Sequence, residues 1–440
     1  MLAFLLQINV WIRTGHVYLF AIFMAWIWAL WLLRMVLSNH YRPWTMPFTT
    51  TTSVIIPVVD EPEELFRSVL SRIIEQQPTE IIVVINGPRN EMLEKICSDM
   101  GVRWAWTEIP GKRNALQVGV GLASGEIAVL VDSDTVWTPG TLPELVKPFR
   151  DPAVGGVTTR QRILDPTRST LTRWADWLEN VRNEYSMPAM SVLGTVGCLP
   201  GRTIAFRRTI LVRYMGRFLS EKFLGVFLEV SDDRTLTNYT LIAGYRTVYQ
   251  STSLVYTDAP TQLKKLMKQQ YRWARGSQYN TLRMLPWMMR HAPALAVFYI
   301  SDVAVPFVLV GSLGAWVITA LSGKYYNHLY GQLNLPEGHW AAVGSILGLA
   351  SLMTMLSMSI RFGRHFANRP EDLIRLPAFM MINTFLLMPV RVLGFFRMAH
   401  NAGWGTRAGG FSGERERNPL VVVPYLLGTG LMILAVMVSV

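Results

Sequence analysis

A chain of 440 residues, half of them hydrophobic, with 42 Lys and Arg against 30 Asp and Glu and a formal net charge of +12, is too apolar for a large soluble protein. Its long uncharged runs point to an integral membrane protein with basic loops facing anionic lipid, and the lack of a dense Lys/Arg run argues against nucleic acid as a partner. Two cysteines, Cys97 and Cys198, far apart and without metal-ligand spacing, suggest neither a disulfide framework nor a zinc site.

In chain order, residues 1–12 are apolar but short and suit the membrane interface. Residues 17–37, apolar except Arg34, supply the roughly 20 positions a bilayer crossing needs. No small-residue cleavage site follows, so this N-terminal membrane segment (1–40) is read as retained. After a linker containing Pro43 and Pro47 the character changes. Apolar runs at 53–58 and 80–85 read as buried strands, while 63–76, 91–100 and 114–123 have helical periodicity. Strands alternating with amphipathic helices predict a mostly parallel sheet that binds ligands at its carboxyl ends. A strand-like stretch at 158–163, a Trp-rich helix over 171–185, a Gly/Pro turn at 197–201, a helix opening at 230 and a strand at 246–250 complete a domain over 50–260. Residues 261–292 are amphipathic and basic, as an interfacial helix requires.

The C-terminal region, 293–440, holds apolar spans near 294–320, 340–360 and 420–439. The connection 321–339 carries one Lys and no Arg, whereas 361–375 holds Arg361, Arg364, Arg369 and Arg375, and 397–417 holds Arg397, Arg407, Arg415 and Arg417. The positive-inside rule places both basic segments in the cytoplasm. The stretch 373–396, broken by Pro377, Pro389 and Arg391, is then interfacial or re-entrant. Four spans are expected, with the catalytic domain inside and both termini outside.

The chemistry centres on 127–134, where apolar residues run into Asp132-Ser133-Asp134. A lone Asp-x-Asp is often an acidic turn. At a strand's carboxyl end, however, paired carboxylates suit Mg²⁺ or Mn²⁺, which are commonly held by one or two carboxylates plus substrate phosphates. Downstream, Asp232-Asp233-Arg234-Thr235-Leu236-Thr237-Asn238, Gln269-Gln270-Tyr271-Arg272-Trp273 and Trp404-Gly405-Thr406-Arg407 follow in order. Together these segments resemble the processive family-2 glycosyltransferases, with Asp-x-Asp, a GDDRxLTN-like motif, Q(Q/R)xRW and WGTR. The group nearest in motif is the hyaluronan and chitin-oligosaccharide synthases.

That resemblance implies an α/β GT-A (Rossmann-like) cytosolic domain inserted between transmembrane helices, with interfacial amphipathic helices. It also implies a plasma-membrane enzyme that polymerises UDP-sugars into a β-linked polysaccharide and translocates it. Asp132 and Asp134 would hold the metal, and Asp233, with Asp232 beside it, would take the acceptor hydroxyl proton. Pro57, Val58, Asp60 and Glu61 would start the uridine site, with Asn86, Lys112, Arg113, Ser133, Gln269 and Arg272 also on the nucleotide sugar. Trp404 and Arg407 would belong to a gating loop over 400–417. Trp273, Arg160, Gln161, Cys198, Leu199, Pro200, Gly201 and Arg202 would meet the growing polysaccharide.

Two stretches depart from the family pattern. Ile85-Asn86-Gly87-Pro88 stands where an acidic DDGS-like segment is usual, and Gly197-Cys198-Leu199-Pro200-Gly201-Arg202 replaces an SGPL-type turn. Arg202, with Arg160 and Arg162, would suit an acceptor bearing carboxylates. Hyaluronan-like, chitin-like and glucose/glucuronate polymers all fit the motifs. The competing activities are a non-processive transfer to a lipid-linked acceptor and, from another class, a membrane transporter or sugar-binding partner.

Overall fold

The computed structural model describes residues 19–322, 338–400 and 418–439. They fall into two compact units. One contains residues 34–296 and 398–421, and the other 19–33, 297–397 and 422–439 of the described chain. Helix α1 (Leu19–His40) runs from one into the other.

The first unit is built on an eight-stranded sheet. β1 (Thr52–Val58) reads Thr-Ser-Val-Ile-Ile-Pro-Val and is buried at every position, as a strand covered on both faces must be. It is followed by α2 (Glu63–Ile74), β2 (Glu80–Asn86), α3 (Glu91–Asp99), β3 (Arg103–Thr107), α4 (Lys112–Leu122), β4 (Ile127–Val131) and β5 (Thr135–Trp137). Next come α5 (Thr141–Val146), β6 (Val154–Ile163), α6 (Thr170–Val181), α7 (Met187–Val192), β7 (Thr203–Arg207) and α8 (Arg208–Leu219). A two-stranded hairpin of β8 (Lys222–Phe223) and β9 (Val226–Phe227) leads to α9 (Asp232–Ile242), β10 (Arg246–Thr257) and the long α10 (Leu263–His291). The strand order is β3-β2-β1-β4-β7-β6-β10-β5, with β7 and β5 antiparallel to their neighbours and the remaining pairs parallel.

The expected strands and helices at 53–58, 63–76, 80–85, 91–100, 114–123 and 127–131 are present to within a few residues. β3, β5, α5, α7, β7, α8 and the hairpin were not foreseen. β3 is an edge strand with Arg103 and Trp106 exposed, so it lacks the apolar run that marks β1 and β4. β7 follows directly on the Gly/Pro turn. β10 extends well past 250 through an irregularity in its pairing with β6.

One detail of the ladder makes the crevice. β1 pairs with β4 only as far as Ile55 opposite Leu130, although β1 continues through Pro57 and Val58. Pro57 has no N–H to donate, so it is tolerated where the β4 ladder has ended. β4 instead stays with β7, and the Asp132 N–H donates to the Arg202 carbonyl (3.0 Å). The two strands therefore part at their carboxyl ends, where open α/β sheets bind ligands.

The second unit is helical. Five described helices are long and apolar enough to cross a membrane: Ala21–His40, Pro293–Leu321, His339–Arg361, Leu376–Phe396 and Pro419–Met437. The stretch 373–396, expected as an interfacial or re-entrant helix, is helical over Leu376–Phe396, with a π-helical segment at Met381–Leu387 between its two prolines. Within this unit the Trp26 indole N–H donates to Ser301 Oγ (3.1 Å), Phe307 meets Phe395 edge-on, and Gly428 lies against the Phe396 ring.

α4 carries Lys112 and Arg113 at its N-terminus, and its seat on the sheet depends on Gly119. A Cβ there would collide with Ile55 Cγ2, whereas Gly121, on the same helix, has nothing within 4 Å. Gly119→Ala should destabilise the unit by about 1–3 kcal/mol, through overpacking. Gly121→Ala should be neutral or slightly stabilising. Thermal denaturation in detergent separates the two, and equal Tm values would refute the packing argument.

Candidate active site

Two acid pairs meet at the parting of β1 and β4. The first follows β4. Asp132 and Asp134 are half-buried, while Ser133 between them is buried and donates to Glu61 Oε1 (2.7 Å), fixing the turn. The Lys112 ammonium pairs with the Asp132 carboxylate. Burial works against the charge on Lys112, yet Asp132, Asp232 and Asp233 together hold its pKa above the ordinary lysine value. A cation is thus already seated on the Asp132 carboxylate.

The second pair opens α9. Ser231 adopts a left-handed backbone (φ 56°), which turns the chain sharply before Asp232. Asp233 Oδ1 accepts from the Arg234 N–H (2.8 Å) and Oδ2 from the Gly201 N–H (3.2 Å), with Cys198 Sγ 3.9 Å away. Asp232 Oδ1 accepts from Arg113 Nε (2.8 Å). Burial pushes the Asp233 carboxyl above its usual range. Asp232 and Asp132 add to that rise, against the Arg234 N–H and Lys112. A carboxylate raised in this way is a better proton acceptor near neutral pH. Burial and the neighbouring Asp233 push the Cys198 thiol up to about 12, so it stays neutral and is no nucleophile.

The rest of the 234–238 motif fastens α9 in place. Arg234 donates to Ser277 Oγ (2.7 Å) and Thr281 Oγ1 (2.8 Å), and Asn238 donates to Asn280 Oδ1 (2.8 Å), all on α10. Thr237 Oγ1 accepts from the Leu199 N–H (3.1 Å), tying α9 to the turn that holds Asp233. The packing is close: a Cβ on Gly276 of α10 would overlap Ser231 Oγ. One turn earlier on α10 stands Arg272, in the field of Asp132, Asp232 and Asp233, which opposes the lowering of its pKa by burial. Its Nε is buried without a hydrogen-bond partner. A guanidinium remains charged under such conditions, and an unmatched buried donor calls for an anion.

The structure therefore gathers many of the expected residues. Pro57, Lys112, Gly201, Asp232 and Asp233 line one small cleft. Others turn out to brace it. Asn86 spends its amide on the carbonyls of Ile109 (3.1 Å) and Gly111 (2.9 Å), shaping the approach to α4. Arg113, expected at the nucleotide, is almost wholly buried and gives its donors to Asp232, Glu221 and the carbonyls of Phe218 and Val230. Arg202 bonds Gln161 Oε1 (2.7 Å) and Glu179 Oε1 (2.8 Å), and Arg162 is paired with Asp176 (2.9 Å). The arginine trio expected to meet an acidic acceptor is thus reduced to Arg160, whose Nε is buried without a partner. Asp60 is exposed, Gln269 and Trp273 are half-buried on α10, and Trp404 and Arg407 lie outside the described residues. Glu221, Glu179 and Tyr279 have no motif around them, and only burial reveals them.

Among the described residues no three His, Cys, Asp or Glu side chains cluster as a metal cage. Asp132 and Asp134 fit a hard divalent ion that completes its shell with phosphate and water oxygens, as Mg²⁺ and Mn²⁺ do. The ammonium already on Asp132 shows that this carboxylate accepts a cation.

The raised pKa of Asp233 has a consequence for stability. The fold favours its neutral form, so that contribution is present below the unfolded-state pKa and is lost as pH rises through the folded one. Asp233→Asn should therefore raise Tm near about pH 8, and the gain should shrink toward about pH 4. A Tm difference independent of pH would show that Asp233 is not strained by burial.

The glycosyltransferase-like family 2 model matches residues 50–276. Hyaluronan synthase of Streptococcus pyogenes is 26% identical over 389 residues, covering 85% of this chain and 88% of that protein. An N-acetylglucosaminyltransferase of Rhizobium meliloti (strain 1021) is 27% identical over 367 residues, covering 80% of each. A solved mannosyltransferase from Pyrobaculum calidifontis, in complex with GDP-Man and Mn²⁺, shares the fold with a TM-score of 0.54 at 17% identity, covering 88% of this chain and 99% of that one. Since the family match takes in more than half of the chain, and the curled mixed sheet is that of the GT-A fold, the chain belongs to glycosyltransferase family 2 and is a glycosyltransferase.

Proposed function

We propose that this glycosyltransferase is a membrane-embedded, processive, inverting polysaccharide synthase that uses UDP-sugars and passes its product across the membrane. The observation that carries the reading is the convergence of Asp132, Asp232 and Asp233 on Lys112 and on Arg272, whose Nε is buried without a hydrogen-bond partner. The similarity to a hyaluronan synthase and an N-acetylglucosaminyltransferase supports a hexosamine or uronate donor. Five apolar helices support embedding in a bilayer. The basic segment 361–375 supports a cytoplasmic catalytic domain, as the positive-inside rule implies.

In this reading Asp132 and Asp134 would hold Mg²⁺ or Mn²⁺, which when bound would supply positive charge to the diphosphate. Arg272 contributes the protein's own cation, its fork matched to phosphate oxygens. Lys112, paired to Asp132, is a second cation within reach of the donor's phosphates. Asp233 accepts the proton of the acceptor hydroxyl, held for that task by the Gly201 and Arg234 N–H groups. Asp232 keeps the turn in place through Arg113. Trp273 offers an aromatic face to the acceptor sugar. A single displacement on an α-linked donor inverts the anomeric carbon, so the product is β-linked.

The test is to incubate the protein, purified in detergent or nanodiscs, with single and paired UDP-sugars plus Mg²⁺ or Mn²⁺, and to size the product. A long polymer is expected. A single sugar on a lipid would favour non-processive transfer, and no transfer from any donor would overturn the proposal. Asp233→Asn should lower transfer by about 10²–10⁴-fold, the usual contribution of a positioned base. Asp132→Asn with Asp134→Asn should abolish both transfer and Mn²⁺ binding measured directly by calorimetry. Undiminished Mn²⁺ affinity in that double variant would move the metal elsewhere.

A further inference from the structure

Outside the cleft, one carboxylate joins four separate elements. Glu221, at the entry to the β8–β9 hairpin, is 3% exposed. Its Oε2 accepts from Arg113 Nη2 (2.8 Å) on α4, Thr235 Oγ1 (2.9 Å) on α9 and the Tyr279 hydroxyl (3.3 Å) on α10. Its Oε1 forms an ion pair with Arg283, also on α10. The one Tyr279 hydroxyl proton is shared between Glu221 and the nearer Val230 carbonyl (2.9 Å), just before the left-handed Ser231. Arg113 continues the chain of contacts to Asp232 and is capped by the Phe218 ring at 4.6 Å.

The carboxylates of Glu221 and Asp232 face the guanidiniums of Arg113 and Arg283, and the buried Glu229 also acts on Arg113. Such a buried network is a poor way to gain stability, because desolvation offsets most of the Coulomb attraction and an apolar cluster does as well. What the network supplies is geometry. Arg113 follows Lys112, which sits on Asp132, so adjacent residues of α4 reach both acid pairs. Tyr279 and Arg283 lie about two and three turns beyond Arg272, on the same stripe of α10. Moving Glu221 would let the Asp232-Asp233 turn and the Arg272 helix slide relative to each other.

We propose that Glu221 is a positioning residue for glycosyl transfer, holding the turn that carries Asp233 in register with the α10 face that carries Arg272. The inference rests on the proposed roles of Asp233 as base and Arg272 as diphosphate contact.

The experiment compares Glu221→Gln, Glu221→Asp and Arg283→Met with Asp233→Asn in the full-length protein. It measures kcat, donor KM, UDP binding by calorimetry, and Tm. Glu221→Gln should lower kcat by about 10–100-fold, the size expected of a sub-ångström to 1 Å misplacement, with UDP affinity changed about threefold or less. Glu221→Asp should recover part of that loss. Arg283→Met leaves Glu221 paired with Arg113 and loosens only its hold on α10, where the Tyr279 contact remains, so it should weaken UDP binding more than it lowers kcat. A Glu221→Gln enzyme with kcat within about twofold of the parent would overturn the inference, as would Gln and Asp variants losing Tm and activity in parallel. Should Glu221→Gln fail to fold, Arg283→Met decides alone, and unchanged KM, kcat and UDP affinity would sink it. An active Asp233→Asn enzyme would instead show that the base assignment is at fault.

Discussion

Collecting carboxylates in a partly dry crevice is the constraint around which this domain is arranged. Asp132, Asp232 and Asp233 act on one another and on the same cations, Lys112 and Arg272. Without those cations the acids would repel and take up protons. The answer in this chain is to bring the cations in on two helices. α4 delivers Lys112 and Arg113 side by side, one to each acid pair, and α10 delivers Arg272. The parting of β1 from β4 makes room for the acids, and the close seating of α4 on Ile55 sets how far the lysine reaches.

The same constraint separates residues that do chemistry from those that keep others still. An arginine with a free donor in a buried site is poised for an anion, as Arg272 is. An arginine paired to a buried carboxylate of the fold is a strut. Arg113, Arg202 and Arg162 belong to the second kind, although each stands in a stretch that motif reasoning assigns to substrate. The acceptor side is accordingly less cationic than the sequence suggested, with Glu179 and Asp176 absorbing most of its positive charge.

Much of the fold was legible because its central strands announce themselves. β1 and β4 are uninterrupted apolar runs ending in turn residues or acids, and the helices between them have clean 3.6-residue periodicity. The acid pairs were legible because their spacing and order are distinctive. What escaped was whatever depends on distant partners. Arg113 meets Asp232 and Glu221 across separations of 119 and 108 residues, and no local pattern encodes such a pairing. β7 escaped because its five residues follow a Gly/Pro turn and run against the other strands of its neighbourhood. The π-helical segment at Arg182–Ser186 is likewise invisible in a periodicity that reads as one helix.

The contact between Ser231 and Gly276 carries a lesson about substitution order. Ser231 holds a backbone conformation that glycine adopts without strain, and its hydroxyl fills the space a side chain at 276 would need. The two positions are therefore epistatic. Once residue 231 becomes glycine, 276 is released to accept alanine, and the helix beside the acids gains propensity. Taken in the opposite order, the same two changes pass through an intermediate that forces the Arg272 helix away from the acid turn. Any walk through sequence space that remodels this junction has one open door, and it is at residue 231.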